Sequence, residues 1–412
     1  MAGPKLLFVF TKHFPYGKAE QYLVDELPFL AAGFDKVVFV PAENFNTGNQ
    51  EQRQLPDNCE VLHLNQEAEK IQTKRKWLEF FSVFLGEFFR SRSKSWFWKE
   101  RKRYTSVLFH QAHLASALKE IIEKRYADFA PSFYTYWIHN SSIMLGLMKR
   151  RVEIEGFICR GHSIDLYEWD WVLTRYVKIL PFYHFIVRQA THIYSISKHG
   201  ADYLKKRFPE MQEKFSFSRL GVADLGINPF QRNAVFTLVS CSNFSENKRV
   251  TAIAGVIGAM KSPVRWIHFG DGPGRDKIEA LISTLPSHCK AELRGFTPNE
   301  KIKEFYSTET VNLFINLSEA EGIPVSLMEA ISFGIPVLAT AVYGNPEVAN
   351  ETTGFTVPFN AASDSIASRI NDFADDQNRQ EQVRVAARNF YLLHFSARKN
   401  YEAFTADLSK HH

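Results

Sequence analysis

Short, unbroken apolar runs recur along this chain, each followed by a longer stretch with helical periodicity. That alternation constrains the fold more than any other feature. In the first half the runs are Lys5–Phe10, Lys36–Pro41, Cys59–Leu64, Phe133–Trp137, Gly156–Arg160 and His192–Ser197. They are mostly continuous rather than alternating in polarity, which is the pattern of strands covered on both faces. Helical stretches such as Glu20–Ala32 and His110–Arg125 lie between them. This rhythm predicts a doubly wound α/β domain. It breaks near Gly226-Ile-Asn-Pro-Phe230 and then restarts with Val235–Cys241, Arg265–Gly270, Glu292–Gly295, Val311–Leu317 and Pro336–Thr340. A chain of 412 residues has room for two such domains. The expected division is a domain over 1–230, a second over 231–387, and a terminal helix over 388–412 that packs back on the first.

Composition narrows the function classes. Fifty basic residues against 45 acidic ones leave a net charge of +5, too little by itself to imply nucleic-acid binding. The four cysteines, Cys59, Cys159, Cys241 and Cys289, are far apart and form no C-x-x-C pair. A disulfide framework or a zinc site is not expected, and a reducing compartment is. The apolar stretch Leu6–Phe10 is too short for a signal peptide, and no window approaches the ~20 apolar residues of a membrane helix. The expected location is cytoplasmic. One region departs from the α/β alternation. Residues 74–103 carry Trp77, Phe80, Phe81, Phe84, Phe88, Phe89, Trp96, Phe97 and Trp98, interleaved with Lys74, Arg75, Lys76, Arg90, Arg92, Lys94, Lys99, Arg101, Lys102 and Arg103. Such a segment can lie on an anionic membrane surface at the inner membrane face. It can equally be a helical insert packed on its own domain with its charges solvated.

The most informative stretch is Ser318-Glu-Ala-Glu-Gly-Ile-Pro-Val-Ser-Leu-Met-Glu-Ala-Ile-Ser-Phe-Gly-Ile-Pro-Val337. It starts at the carboxyl end of an expected strand, where ligands of open α/β sheets bind. Pro324 suits the first turn of a helix, and Gly334 suits its stop. The first N–H groups of that helix form an anion site suited to a diphosphate. Gly322 permits close approach of a ligand to the backbone. Glu321 lies just before the helix and Glu329 inside it, so both carboxylates can serve one ligand as acceptors for sugar hydroxyls.

Glu-x7-Glu, with Glu-Gly-x-Pro ahead of it and Glu-Ala-x-x-x-Gly-x-Pro-Val after it, resembles the signature of glycosyltransferase family 4, in particular its bacterial polysaccharide-building members. The likeness continues at Tyr343-Gly344-Asn345-Pro346-Glu347, where Tyr343 replaces the first glycine of a Gly-Gly-x-x-Glu pattern. The resemblance implies a GT-B fold, with two Rossmann-like domains facing across a deep cleft. It also implies roles in the donor domain. Glu321 would hold hydroxyls of the transferred sugar near the reacting carbon, and Glu329 would accept from the ribose. The N–H groups of Ile323 and Val325 would meet the diphosphate, to which Pro324 offers none. Lys248, in Cys241-Ser-Asn-Phe-Ser-Glu-Asn-Lys248, would neutralise the diphosphate. Ser242 or Asn243 stands where the family often has an arginine, so a second cation there depends on Arg249. His268-Phe-Gly-Asp-Gly-Pro273 resembles a glycine loop of the family, and backbone groups near Phe296 would read the nucleobase.

The first domain carries further matches. Arg160-Gly-His-Ser-Ile-Asp-Leu-Tyr167 resembles a segment in which His162 would reach the transferred sugar, with Asp165 orienting His162 or capping the next turn, and Arg160 contacting phosphate or acceptor. Phe14-Pro-Tyr-Gly17 resembles a phosphate-side loop. Gly17 fits it, and Lys18-Ala19 replaces a second glycine.

The implied activity is a retaining, metal-independent transfer of a hexose-type sugar from a nucleotide-diphosphate sugar to a glycan or lipid-linked acceptor, in surface or capsular polysaccharide assembly. No resident cofactor is expected beyond the donor itself. The alternatives are a sugar-nucleotide epimerase on the same scaffold, and a degenerate homologue that binds nucleotide sugar without turnover.

Overall fold

Two all-parallel sheets organise the chain. The computed structural model describes residues 3–17, 20–42, 51–71, 77–91, 93–170, 175–176, 181–232 and 235–410. Lys18, Ala19, Lys74, Arg75, Lys76 and Arg92 lie outside the described residues, as does the side chain of Trp77. The chain divides into two units, Met1–Ser218 with Tyr401–His412, and Arg219–Asn400.

In the first unit the strands are β1 (Lys5–Thr11), β2 (Lys36–Pro41), β3 (Cys59–Val61), β4 (Ala130–Thr135), β5 (Ile158–Gly161), a two-residue ladder β6 (Trp169–Asp170) with β7 (Arg175–Tyr176), then β8 (His192–Ser195) and β9 (Phe215–Phe217). The main sheet runs β3-β2-β1-β4-β5-β8-β9. Leu6 to Val9 are fully buried, as the unbroken apolar run requires of a strand covered on both faces. The second unit contains β10 (Phe236–Cys241), β11 (Val264–Phe269), β12 (Cys289–Leu293), β13 (Leu313–Asn316), β14 (Val337–Thr340) and β15 (Gly354–Val357), ordered β12-β11-β10-β13-β14-β15. Trp266 is fully buried and joins Leu238, Val256, Leu313 and Ile370 in the core.

β9 and β15 have no counterpart in the sequence reading. They are edge strands of three and four residues, with Ser216 and Thr356 interrupting the apolar run. The division also differs from the one expected. The first crossing falls at Ser218 rather than 230, because the connecting segment is pinned to the second unit. Arg384 donates to the carbonyls of Val311 and Asn228 at 2.7 and 3.0 Å, and Tyr391 Oη donates to the Val222 carbonyl. The return crossing falls at Tyr401 rather than 388. The terminal helix is two helices, Gln377–His394 and Ala397–Leu408, broken at Phe395-Ser396, and Ser396 bridges to Val222. The four cysteines are free.

The aromatic insert folds as helices Trp77–Arg90, Lys94–Lys99 and Arg101–Arg125. One face packs on the first unit. Phe80 stacks on Phe109 at 4.4 Å between centroids, and Phe97 lies 4.8 Å from Tyr104. Glu79 takes the Arg151 guanidinium, and Glu87 accepts the N–H groups of His184 and Phe185.

Candidate active site

The strand order of the second unit reverses between β10 and β13. In such sheets the crevice outside the carboxyl ends of the strands at the switch point is the place for a ligand. The loops leaving these two strands are laced together by Asn247. Its side-chain amide donates to the Ala320 carbonyl at 3.2 Å and accepts from the Ala320 N–H at 3.1 Å, while the Glu319 N–H donates to the Asn247 carbonyl at 2.8 Å. The lacing sets Lys248 against Glu321, Nζ to Oε1 at 2.5 Å, with the two side chains 25% and 13% exposed. Glu321 stands immediately before helix Val325–Ser332, whose N-cap is Pro324. The helix stops as its sequence requires, with Gly334 at φ +72°. Gly322, Ile323 and Val325 form the backbone leading into the helix. Its first-turn N–H groups have no intrahelical acceptor, so a positive helix end stands beside the Lys248–Glu321 pair.

Glu329 lies in the same helix and is buried. Its Oε1 accepts from Asn299 Nδ2 at 2.8 Å, and Lys303 Nζ approaches to 3.7 Å. Asn299 and Lys303 went unnoticed in the sequence, where they read as ordinary residues of an amphipathic helix. Only the fold brings Asn299–Thr308 beside Val325–Ser332.

The β14 loop completes the surroundings. A Cβ at Gly344 would fall 1.6 Å from the Gly322 carbonyl oxygen, so only glycine lets this loop close over the Glu321-Gly322 turn. Tyr343 before it takes φ +44°, the left-handed conformation that the missing glycine would adopt more readily. Thr340 Oγ1 donates to the Ser318 carbonyl at 2.5 Å, and Asn345 Nδ2 donates to the Thr340 carbonyl.

Ser242, Asn243 and the glycine loop share a buried hydrogen-bond chain. Trp266 Nε1 donates to Ser240 Oγ, Ser240 is bonded to His268 Nδ1 at 2.8 Å, and His268 Nε2 reaches the Ser242 carbonyl at 3.0 Å. A carbonyl only accepts, so Nε2 carries the hydrogen and Nδ1 accepts from Ser240. Burial holds this imidazole neutral, with its pKa down at about 4. The chain fixes the Ser242 carbonyl where a Cβ at Gly270 would clash at 1.8 Å. Asn243 Oδ1 accepts from the Ser245 N–H. Phe296 is exposed beside the Gly270–Gly295 bridge. Arg249 does not supply the missing second cation: it donates to the Phe359 carbonyl at 3.0 Å and lies over the Phe359 ring.

In the first unit the order reverses between β1 and β4, and the organiser is Glu20, which the sequence reading passed over. Its carboxylate accepts the N–H groups of Lys12, His13 and Phe14 at 2.7–2.9 Å and Trp137 Nε1 at 2.6 Å, tying the β1 loop to the β4 loop. Gly17, at φ +63°, lies in the β1 loop. Trp137 packs on His162, ring centroids 4.2 Å apart. His162 is 6% exposed. Its Nε2 donates to the Tyr136 carbonyl at 3.0 Å, which leaves Nδ1 as the acceptor. Burial, with Arg160 adding to it, lowers its pKa to about 3. Asp165 caps the turn, accepting the N–H groups of His162 and Ile138 at 2.7 and 2.8 Å. It orients the His162 backbone.

Arg160 corrects the reading made from sequence. It is fully buried, paired with Glu26 at 2.6 Å, and its guanidinium lies 3.7 Å over the Phe404 ring of the terminal helix. Phosphate and acceptor are out of its reach, because every polar atom it has is spent or enclosed inside the first unit. Its place in a motif near His162 does not distinguish a ligand contact from a core ion pair.

Residues 232–390 match a family model described as glycosyl transferases group 1. The chain is 28% identical over 242 residues to the putative colanic acid biosynthesis glycosyltransferase WcaL of Salmonella typhimurium, covering 55% of this chain and 57% of that one. It is 30% identical over 224 residues to the protein of the same description in Escherichia coli, covering 52% and 54%. The chain thus spans about half the length of these curated relatives. Among solved structures, Anabaena Alr3699/HepE in complex with UDP superposes with a TM-score of 0.68 at 16% identity, covering 98% of this chain and 100% of that one. Sucrose-phosphate synthase from Thermosynechococcus elongatus gives 0.70 at 15%, covering 98% of each. Residues 232–390 are thus similar to the glycosyl transferases group 1 family, and the two Rossmann-like units have the GT-B fold.

Proposed function

We propose that the second unit binds a nucleotide-diphosphate sugar and that the protein transfers the sugar to a glycan or lipid-linked acceptor with retention of configuration. One observation carries the reading: Lys248 and Glu321 meet at 2.5 Å at the head of helix Val325–Ser332. A cation and a helix N-terminus receive the diphosphate, and the adjacent carboxylate receives the sugar hydroxyls. Glu329, held by Asn299, takes the ribose hydroxyls.

In the transfer the bond from the anomeric carbon to the diphosphate breaks, and its electron pair leaves on the phosphate oxygen. The acceptor oxygen bonds to that carbon on the same face, and its proton passes to the departing phosphate oxygen. Lys248 and the helix end stabilise the charge that develops there, without a bound metal ion in the scheme. His162, a neutral imidazole with Nε2 committed to Tyr136, serves only as a hydrogen-bond acceptor through Nδ1. A hexose-type sugar and a uridine nucleotide are the first donors to try, since HepE was crystallised with UDP-glucose. Colanic acid and amylovoran synthesis among the relatives' descriptions support a place in surface polysaccharide assembly. We place the reaction in the cytoplasm, peripheral to the inner membrane face where the acceptor is lipid-linked.

A melting-temperature panel of nucleoside diphosphates and nucleotide sugars tests the donor site, because specific binding stabilises the folded state by mass action. A shift with one nucleotide is expected, followed by acceptor-dependent release of that diphosphate, which Glu321→Ala abolishes without unfolding the chain. No shift with any nucleotide overturns the reading. Turnover without an acceptor favours an epimerase.

A further inference from the structure

The helical insert buries one apolar face and leaves a second one open. Phe81, Leu85 and Phe89 recur at i, i+4 and i+8 on helix Trp77–Arg90 and are 52%, 47% and 68% exposed. That spacing makes them a single stripe. Phe88 joins the stripe to Trp98 of the next helix, with centroids 5.5 Å from Phe89 and 6.2 Å from Trp98, and Trp98 is 56% exposed. Soluble proteins rarely leave a contiguous group of large apolar side chains open without a use for it.

The charge around the stripe is one-sided. Arg90, Lys94, Lys99, Arg101, Lys102 and Arg103 flank it, and the local acids are withdrawn. Glu79 is engaged by Arg151, Glu87 is buried against the backbone of His184 and Phe185, and Glu100 lies 3.9 Å from Arg103. Arg101 lies over the Trp98 ring, 4.9 Å from its centroid, the arrangement of an aromatic anchor beside a cation at a lipid interface. No helix among the described residues is long and apolar enough to cross a membrane.

From this geometry we infer that the face of Phe81, Leu85, Phe89 and Trp98 docks the protein on an anionic lipid surface. The aromatic and aliphatic side chains enter the headgroup–acyl boundary, and the six cations sit at the phosphates. A second copy fits less well. A two-fold contact apposes the same patch on both subunits, which brings cationic rim against cationic rim. The inference stands apart from the nucleotide reading, and its test is independent of it.

The test is flotation of the full chain with vesicles of phosphatidylethanolamine containing roughly a third phosphatidylglycerol, against phosphatidylcholine alone. Binding to the anionic vesicles that falls with added salt is expected. Phe81→Ser/Leu85→Ser/Phe89→Ser should lower the partition coefficient at least ~10-fold by removing apolar burial. Lys94→Gln/Lys99→Gln/Lys102→Gln should lower it about five-fold per cation at low salt. All six positions are exposed, so near-ultraviolet circular dichroism and the melting temperature should be unchanged in both variants. Equal flotation of either variant and the parent overturns the inference, as does flotation indifferent to lipid charge. Self-association in sedimentation velocity that the serine variant abolishes, without any vesicle binding, assigns the face to a second copy instead.

Discussion

The ion pair at the head of helix Val325–Ser332 makes a quantitative demand. Lys248 and Glu321 touch at 2.5 Å and are largely shielded from water, so each neutralises the other. Removing Lys248 does two things to a bound diphosphate. It deletes a charge-assisted contact worth about 1.5–3 kcal/mol. It also leaves the Glu321 carboxylate bare beside the phosphates, and two unit charges ~6 Å apart at an effective dielectric of 20 repel by nearly 3 kcal/mol. Lys248→Ala should therefore weaken UDP by about 4–6 kcal/mol, a Kd increase of roughly a thousand- to ten-thousand-fold. Glu321→Ala removes the repulsion and frees the lysine, so UDP should bind as well as to the parent or up to ~10-fold more tightly, although transfer is lost. The combined variant should bind UDP ~10- to 100-fold better than Lys248→Ala alone. Isothermal titration at fixed salt measures all four corners of this cycle. If Glu321→Ala costs as much UDP affinity as Lys248→Ala, or if the combined variant is weaker than Lys248→Ala, the assignment of lysine to phosphate and glutamate to sugar is wrong.

Two further predictions concern stability. Arg160→Leu should destabilise the first unit by about 3–5 kcal/mol because it strands Glu26 in the core, whereas Glu26→Leu/Arg160→Leu should cost far less; urea unfolding fitted to separate transitions for the two units checks both. Burial depresses the His162 pKa to about 3 and that of His268 to about 4, so the unfolded chain takes up protons that the native state refuses. That contribution is fully present above pH ~6.5 and is lost as pH falls toward the native values, by up to about 1.4 kcal/mol per pH unit for each histidine. The second unit of His268→Gln should lose less stability between pH 7 and 5 than the parent, and equal slopes would refute the neutral, buried role.

Most of the second unit could be read from its residues because the information there is local. Unbroken apolar runs mark buried parallel strands, Pro324 and Gly334 bracket one helix, and Glu321 and Glu329 fall within nine residues of each other. The chemistry of the proposed donor site rides on a single strand–loop–helix segment plus one loop, and a chain can state that much in order. The first unit was harder, because its important side chains act across long separations. Glu20 reaches Trp137, and Arg160 reaches Glu26 and Phe404. Arg160 and His162 stand two residues apart and both are buried, yet one pairs with Glu26 in the core and the other packs against Trp137 of the β4 loop, a difference that their partners from other elements decide.

Two parallel α/β sheets, the helix bracketed by Pro324 and Gly334, and the acids and lysine around it were legible in the order of the residues. Those follow from periodicity, proline and glycine stereochemistry, and charge, which need no partner far along the chain. The tertiary structure alone decided that Asn247 laces Lys248 to Glu321 and that Asn299 holds Glu329. It alone also decided that one stripe of the aromatic insert is buried while Phe81, Leu85 and Phe89 stay in the open. A hydrogen bond or an exposed face depends on which elements come to lie side by side, and that is settled by the packing of the whole sheet rather than by any segment of it.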